Sequence, residues 1–368
     1  MNKSKVYFTD FHCHDNENLL QKLKRLCITA GIKDINFKNN YTVIKMHFGE
    51  YGNLSYLRPN YVKVITDLIK EQGGTVYTSD CNTLYVGFRN NGVGHLECAY
   101  ANGFVPSVIG CSVVIGDGIK GTSEKLIPIN MKHVKEAKIG LEIANADIFI
   151  SLTHFKGHEA TGFGGAIKNI GMGCGSRAGK MEMHGSGKTS VDEEKCMSCG
   201  QCIKNCGVSA ISFNDKRKAY IDKDICVGCG RCIGTCNFNA ISPDDYCSNL
   251  MLNEKMAEYA YATVKDKPNF HISLICDVSP NCDCHCHNDM PILPNIGMLA
   301  SYDMVALDQA CVDLCNKANP LCDSVLAHNE KVSDDHFINN HPDTNYKECL
   351  AYAQEIGLGS REYELIKI

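Results

Sequence analysis

No run of eighteen apolar residues occurs in this chain, so nothing in it reads as a membrane-spanning helix. Its start, Met1-Asn2-Lys3-Ser4-Lys5-Val6, has no long apolar region behind the lysines, which argues against an export signal. Long basic stretches are missing too, and the formal charge is -5, so no electrostatic footprint for nucleic acid is present. Neither G-x-G-x-x-G after a first strand nor G-x-x-x-x-G-K-[ST] appears, which removes the Rossmann fingerprint and the P-loop. The remaining composition, 44% apolar and 21% charged, is that of a soluble globular protein, and the expected location is cytoplasmic. At 368 residues the chain exceeds the size at which one core keeps growing, so more than one domain is expected.

Cysteine, by contrast, is abundant, with twenty-three residues. Eight of them form two matched runs, Cys196-x2-Cys199-x2-Cys202-x3-Cys206 and Cys226-x2-Cys229-x2-Cys232-x3-Cys236. This is the spacing of bacterial two-cluster ferredoxins, in which the fourth cysteine of each run reaches the other cluster. The spacing predicts two [4Fe–4S] centres, one held by Cys196, Cys199, Cys202 and Cys236, the other by Cys226, Cys229, Cys232 and Cys206. Zinc held by four cysteines is the rival reading. The clustering and the missing export signal argue against a secreted disulfide scaffold.

Around these runs the pattern is α/β. Val43–Phe48, Thr75–Ser79, Val113–Ile115, Asp147–Leu152 and Phe270–Ile275 read as strands, and Tyr61–Gln72 and Asp303–Ala318 as helices. The expected architecture is a largely parallel-sheet host domain, 1–188 and 246–368, interrupted by a small α+β ferredoxin-like insert at 189–245.

Candidate site residues cluster at predicted strand ends, the default ligand position in open α/β sheets. Lys45 and His47 stand at the end of one strand, and His154, Lys156 and His158 follow another. Lys168 lies in the glycine-rich segment Gly162–Asn169. Imidazoles move protons near neutrality and lysines hold anions, so these six are the catalytic candidates, with a small anion as ligand. A further segment, Cys276 to His287, packs four cysteines and two histidines into twelve residues. Cys276, Cys282, Cys284 and Cys286 are the candidate ligands of an additional metal centre. Cys311, Cys315, Cys322 and Cys349 read as small core residues.

The outer segments, with Asn281-Cys282-Asp283-Cys284 and Ile296 to Ala310, resemble the family catalogued as domain of unknown function 362. More narrowly, the chain resembles members carrying an inserted two-cluster ferredoxin domain. That resemblance implies a split α/β host and iron–sulfur redox work. The leading expectation is therefore an iron–sulfur oxidoreductase, served by a redox partner protein and passing electrons to a small anion or metal centre in the α/β cleft. The alternatives are a non-enzymatic electron carrier or ligand-responsive docking protein, and a non-redox enzyme with structural clusters.

Overall fold

Alternation along Ile148–His154 sets the layers of the molecule. Ile148, Ile150 and Leu152 face one apolar core and Phe149 faces the other, as successive strand side chains must. The computed structural model describes residues 3–13, 16–85, 87–185 and 188–368. Its main sheet has eight strands: β1 (Ser4–Asp10), β2 (Tyr41–Lys45), β3 (Thr75–Asp80), β4 (Ser112–Ile115), β5 (Ile148–His154), β6 (Asn269–Ile275), β7 (Gly297–Ser301) and β8 (Tyr363–Lys367). Their spatial order is β8-β1-β7-β6-β5-β2-β3-β4.

The expected α/β architecture is present, but the sheet is mixed. Strand β7 runs antiparallel to both β6 and β1. The chain passes from β6 to β7 through residues 276–296 without a helix, and an uncrossed return gives an antiparallel partner. Strands β4, β3, β2, β5 and β6 are mutually parallel, so their carboxyl ends share one edge.

Helices cover both faces. Helix α1 (Pro59–Glu71) buries Val62, Ile65, Leu68 and Ile69 in the core that holds Ile44, Ile150 and Leu152. Each such side chain contributes roughly 1.5–3 kcal/mol when fully buried. Pro59 opens this helix, where its missing N–H costs nothing, and Gly73, at φ +80°, follows its end. On the opposite face lie α2 (Ala166–Cys174), α3 (Asn249–Val264) and α4 (Met304–Lys317). Asp303 caps α4, accepting from Val305 N and Ala306 N at 2.9 and 3.0 Å. Asp308, within α4, in turn caps α2 by accepting from Ala166 N and Ile167 N.

The cysteine-rich segment forms two small antiparallel pairs, Thr189–Val191 with Ile241–Pro243 and Ile211–Phe213 with Ala219–Ile221. Two five-residue helices, Gln201–Asn205 and Arg231–Thr235, complete it. The segment is tied to the host: Arg177 Nη2 donates to Gly230 O at 2.8 Å and Asn90 Nδ2 to Gly234 O at 2.7 Å. A distinct ferredoxin-like cluster domain is not identifiable in this arrangement, and the expectation of one is corrected. Among the described residues, no helix is long and apolar enough to cross a membrane.

One buried group makes stability depend on pH. His271 lies in β6, where its Nδ1 faces Ser151 Oγ at 2.9 Å and its Nε2 faces Asn269 Oδ1 at 2.8 Å. Burial holds its pKa down at about 3, against 6.5 for a free imidazole. The unfolded chain therefore binds the extra proton first, and stability falls as pH drops from about 6.5 toward about 3. Between pH 7 and pH 5 this group should remove about 2 kcal/mol. Urea unfolding at the two pH values should show that loss, with a shallower dependence in His271→Gln; parallel slopes would contradict it.

Candidate functional site

The shared edge of the parallel strands opens into a cavity of about 220 Å³. Lys45, His47, His154, Lys156, His158 and Lys168 all line it. Each arrives there by a local feature of the chain. Lys45 ends β2 and His154 ends β5, while Lys156–His158 forms a short strand pairing with Gly162–Gly164. Lys168 projects from α2. Leu84, Met172, Leu252 and Met256 supply an apolar wall, which strengthens charge interactions by lowering the local dielectric.

Buried Asp80, at the end of β3, organises the inner end. Its Oδ1 lies 3.0 Å from Lys45 Nζ, and its Oδ2 lies 3.8 Å from both Arg89 Nη1 and His95 Nε2. Burial pushes this carboxyl up, but Lys45, His95, Lys180 and Arg89 outweigh that and hold it below its usual range. Lys45 Nζ also donates to Asn169 Oδ1 at 2.8 Å, and Arg89 Nε to Glu50 Oε2 at 3.0 Å.

The histidines differ in their surroundings. His47 Nδ1 accepts from Gly49 N at 2.9 Å, and its Nε2 stands 3.0 Å from Arg89 Nη1. Burial, and then Arg89, keep this ring well below the ordinary imidazole pKa, so it stays neutral. Each ring nitrogen of His154 faces an acceptor, Asp283 Oδ2 at 2.8 Å and Cys276 O at 2.7 Å, which fixes the ring at both ends. His158 Nδ1 accepts from Ala160 N and Thr161 N at 3.1 and 3.2 Å, which places the proton of a neutral ring on Nε2. Lys156 Nζ lies 3.3 Å from Asp283 Oδ2 and donates to His154 O.

Toward the mouth, Lys168 Nζ donates to Cys282 Sγ at 2.9 Å. Cys282 is held well below the usual thiol pKa, first by its hydrogen bond with Cys284 and then, against burial, by Lys168 and Lys156. Cys284 is pushed up by the same hydrogen bond, so the pair holds one proton between them. His184, half-buried at the same cavity, is lowered to about 4 by burial.

Sequence reasoning missed Arg89, Lys180 and Asp80 as members of the site. Lys180 comes from the helix Arg177–His184 and Arg89 from a single 3-10 turn, so neither sits at a recognisable strand end. The signal for Asp80 was its place as the last residue of a strand parallel to β2.

The metal expectations require correction. Cys196, Cys199, Cys202 and Cys236 line one small hollow, and Cys206, Cys226, Cys229 and Cys232 another, each of about 20 Å³. Cys196, Cys202, Cys232 and Cys236 are buried with Ile211, Ile221 and Ile241 in a small apolar core, and burial raises Cys232 to about 12. Among the described residues, three or more donors come within 4.8 Å of one another at one place only, Glu159, Cys284 and His285, outside both runs. The readings of two [4Fe–4S] clusters and of an iron–sulfur oxidoreductase do not fit that finding and are withdrawn. The four-cysteine centre at Cys276, Cys282, Cys284 and Cys286 is also withdrawn. A turn separates its members: Cys276 lines a separate pocket with Tyr61, and Cys286 is exposed beside His287.

Among curated proteins, no sequence matches this chain. Two solved structures are similar at a distant level. The lactate racemase apoprotein from Thermoanaerobacterium thermosaccharolyticum is 13% identical, with 74% of this chain and 51% of that one covered and a TM-score of 0.35. A crystal structure of a Thermotoga maritima protein is 11% identical, with 82% and 60% covered and a TM-score of 0.42. The chain thus spans about half the length of the first of these, and likeness at this level transfers no residue role. The family model described as domain of unknown function (DUF362) matches residues 42–313, most of the chain and every cavity residue named above. The protein belongs to that family.

Proposed function

We propose that the cavity binds a small molecule bearing a carboxylate or phosphate and moves a proton on it, without electron transfer. One observation carries this reading. The cavity lining presents five cations, Lys45, Arg89, Lys156, Lys168 and Lys180, against two carboxylates, Asp80 and Glu159. Glu50 and Asp283 stand behind the lining and hold Arg89 and Lys156 in place. The surface offered to a ligand is therefore rich in N–H donors inside a partly apolar enclosure, where each charge-assisted bond is strong.

In this reading Lys156, Lys168 and Arg89 hold the anion. His158, with its proton on Nε2, is the donor, and neutral His47, whose one acceptor nitrogen is taken by Gly49 N, is a positioning group. Lys45 and His154, fastened by Asp80 and Asp283, act as positioning groups. A second reading, a ligand-responsive docking protein, draws support from the contact of the cysteine-rich segment with the cavity wall. A Cβ on Gly230 would stand 2.7 Å from Leu84 Cδ2, so that segment packs directly on a residue of the cavity lining.

Calorimetric titration with inorganic phosphate and with small mono- and dicarboxylates should show binding to the wild type. Lys156→Met and Lys168→Met should each weaken it by about ten- to a hundredfold, the worth of one charged hydrogen bond. Deuterium incorporation from heavy water into a bound carboxylate, lost in His158→Asn while binding persists, would separate turnover from sensing. Absence of anion binding in the wild type would refute both readings.

Removing the organising anion should have a structural cost. Asp80→Asn leaves Lys45 and Arg89 buried without their shared carboxylate, and unfolding free energy should fall by about 3–5 kcal/mol. Urea denaturation measures this, and a loss below about 1 kcal/mol would show that Asp80 is dispensable.

A further inference from the structure

We infer that Glu159, Cys284 and His285 form a binding site for one zinc-like divalent cation at the mouth of the cavity. A ligand atom from each residue lies within 4.8 Å of those from the other two, and Glu159 Oε1 is 3.0 Å from His285 Nε2. Two ligands on tetrahedral zinc stand about 3.4–3.6 Å apart, so sub-ångström shifts bring this pair into place.

The donor types fit such an ion. A bound cation would displace the Cys284 proton to solvent; the resulting thiolate and a carboxylate together neutralise a dication, and thiolate with imidazole selects a zinc-class ion over magnesium or calcium. Three protein ligands leave a fourth position, which is the arrangement of zinc sites that act on a bound molecule. Glu159 and Cys284 both line the cavity, so that position faces the enclosed space.

The ligands are also held in advance. Glu50 N donates to Asp283 O at 2.9 Å, and Asn53 Nδ2 donates to His285 O at 3.2 Å. Gly52, at φ +96°, brings its backbone so close that a Cβ there would stand 2.6 Å from Cys286 O. On the other side, a Cβ on Gly157 would meet Pro280 O at 2.1 Å, which locks the hairpin carrying Glu159 against the loop carrying Cys284. Such fastening from a surrounding shell is what keeps metal ligands in register.

The test uses the full chain, reduced and stripped with a chelator, then titrated with Zn²⁺ alone against a chromophoric competitor. Wild type should take up one tightly bound ion more than His285→Ala or Glu159→Ala, with at least a tenfold loss of affinity at that site. In the same preparation loaded with Co²⁺, Cys284→Ser should lose one thiolate-to-cobalt charge-transfer contribution, while Cys322→Ser, altering an exposed thiol elsewhere, should not. His285 and Glu159 lie outside the core, and matching thermal melts would confirm that their variants are folded. Equal zinc stoichiometry and affinity in wild type and all three site variants would overturn the inference. Phosphate titration of His285→Ala keeps this outcome separate from the anion reading: the metal site can fail while phosphate still binds, and the reverse.

Discussion

Much of the site depends on one buried carboxylate. Asp80 stands at the carboxyl end of β3 with Lys45, Arg89 and His95 around it, and none of these groups has free access to water to screen its charge. An unpaired charge in such a place is costly, so the cations are held where the anion is, and the anion is held by the strand. Lys45 then fixes Asn169, whose amide reaches back to Leu152 O and Thr153 Oγ1, linking the ends of β2 and β5 to α2. Asp283 plays a similar part nearer the mouth, between His154 and Lys156. The cationic lining is thus held by Asp80 within it and by Glu50 and Asp283 behind it.

How much of this was legible depends on the range of the interactions. Tyr61–Gln72 and Asp303–Ala318 were readable as helices because apolar spacing and end signals are local, and both boundaries fall within two residues of those observed. Lys45, His47, His154, Lys156 and His158 could be grouped because each stands at or just past a strand end, and parallel strands end on one edge. Lys168 was grouped by its glycine-rich setting. Arg89 could not be, since its position is set by Glu50, thirty-nine residues away in sequence. The reversed strand β7 was equally hidden, because direction is decided by how the loop 276–296 returns and not by any residue in the strand.

Cysteine spacing was the strongest regularity in the sequence and the one from which most was inferred. Spacing states which thiols can approach one another; it does not state which donors of other types will stand among them. The close grouping in the folded chain combines Cys284 and His285 with Glu159 from a different loop. A search of cysteines alone passes over it. Closeness in sequence does not hold Cys284 and Cys286 together either, because the turn at this place sends Cys284 toward the cavity and Cys286 to solvent.

Strand β1 lies between β7 and β8, so residues 4–10 are hydrogen-bonded to residues 297–301 on one side and to 363–367 on the other. As a ribosome delivers the chain, β1 must wait for β7 and β8 before either of its edges is paired. During that interval its unpaired amides are open to any other extended segment. Closing the sheet there also carries a loop-entropy cost set by the long stretch of chain between β1 and β7. Strand β1 therefore gains both of its sheet neighbours only from chain made much later than itself.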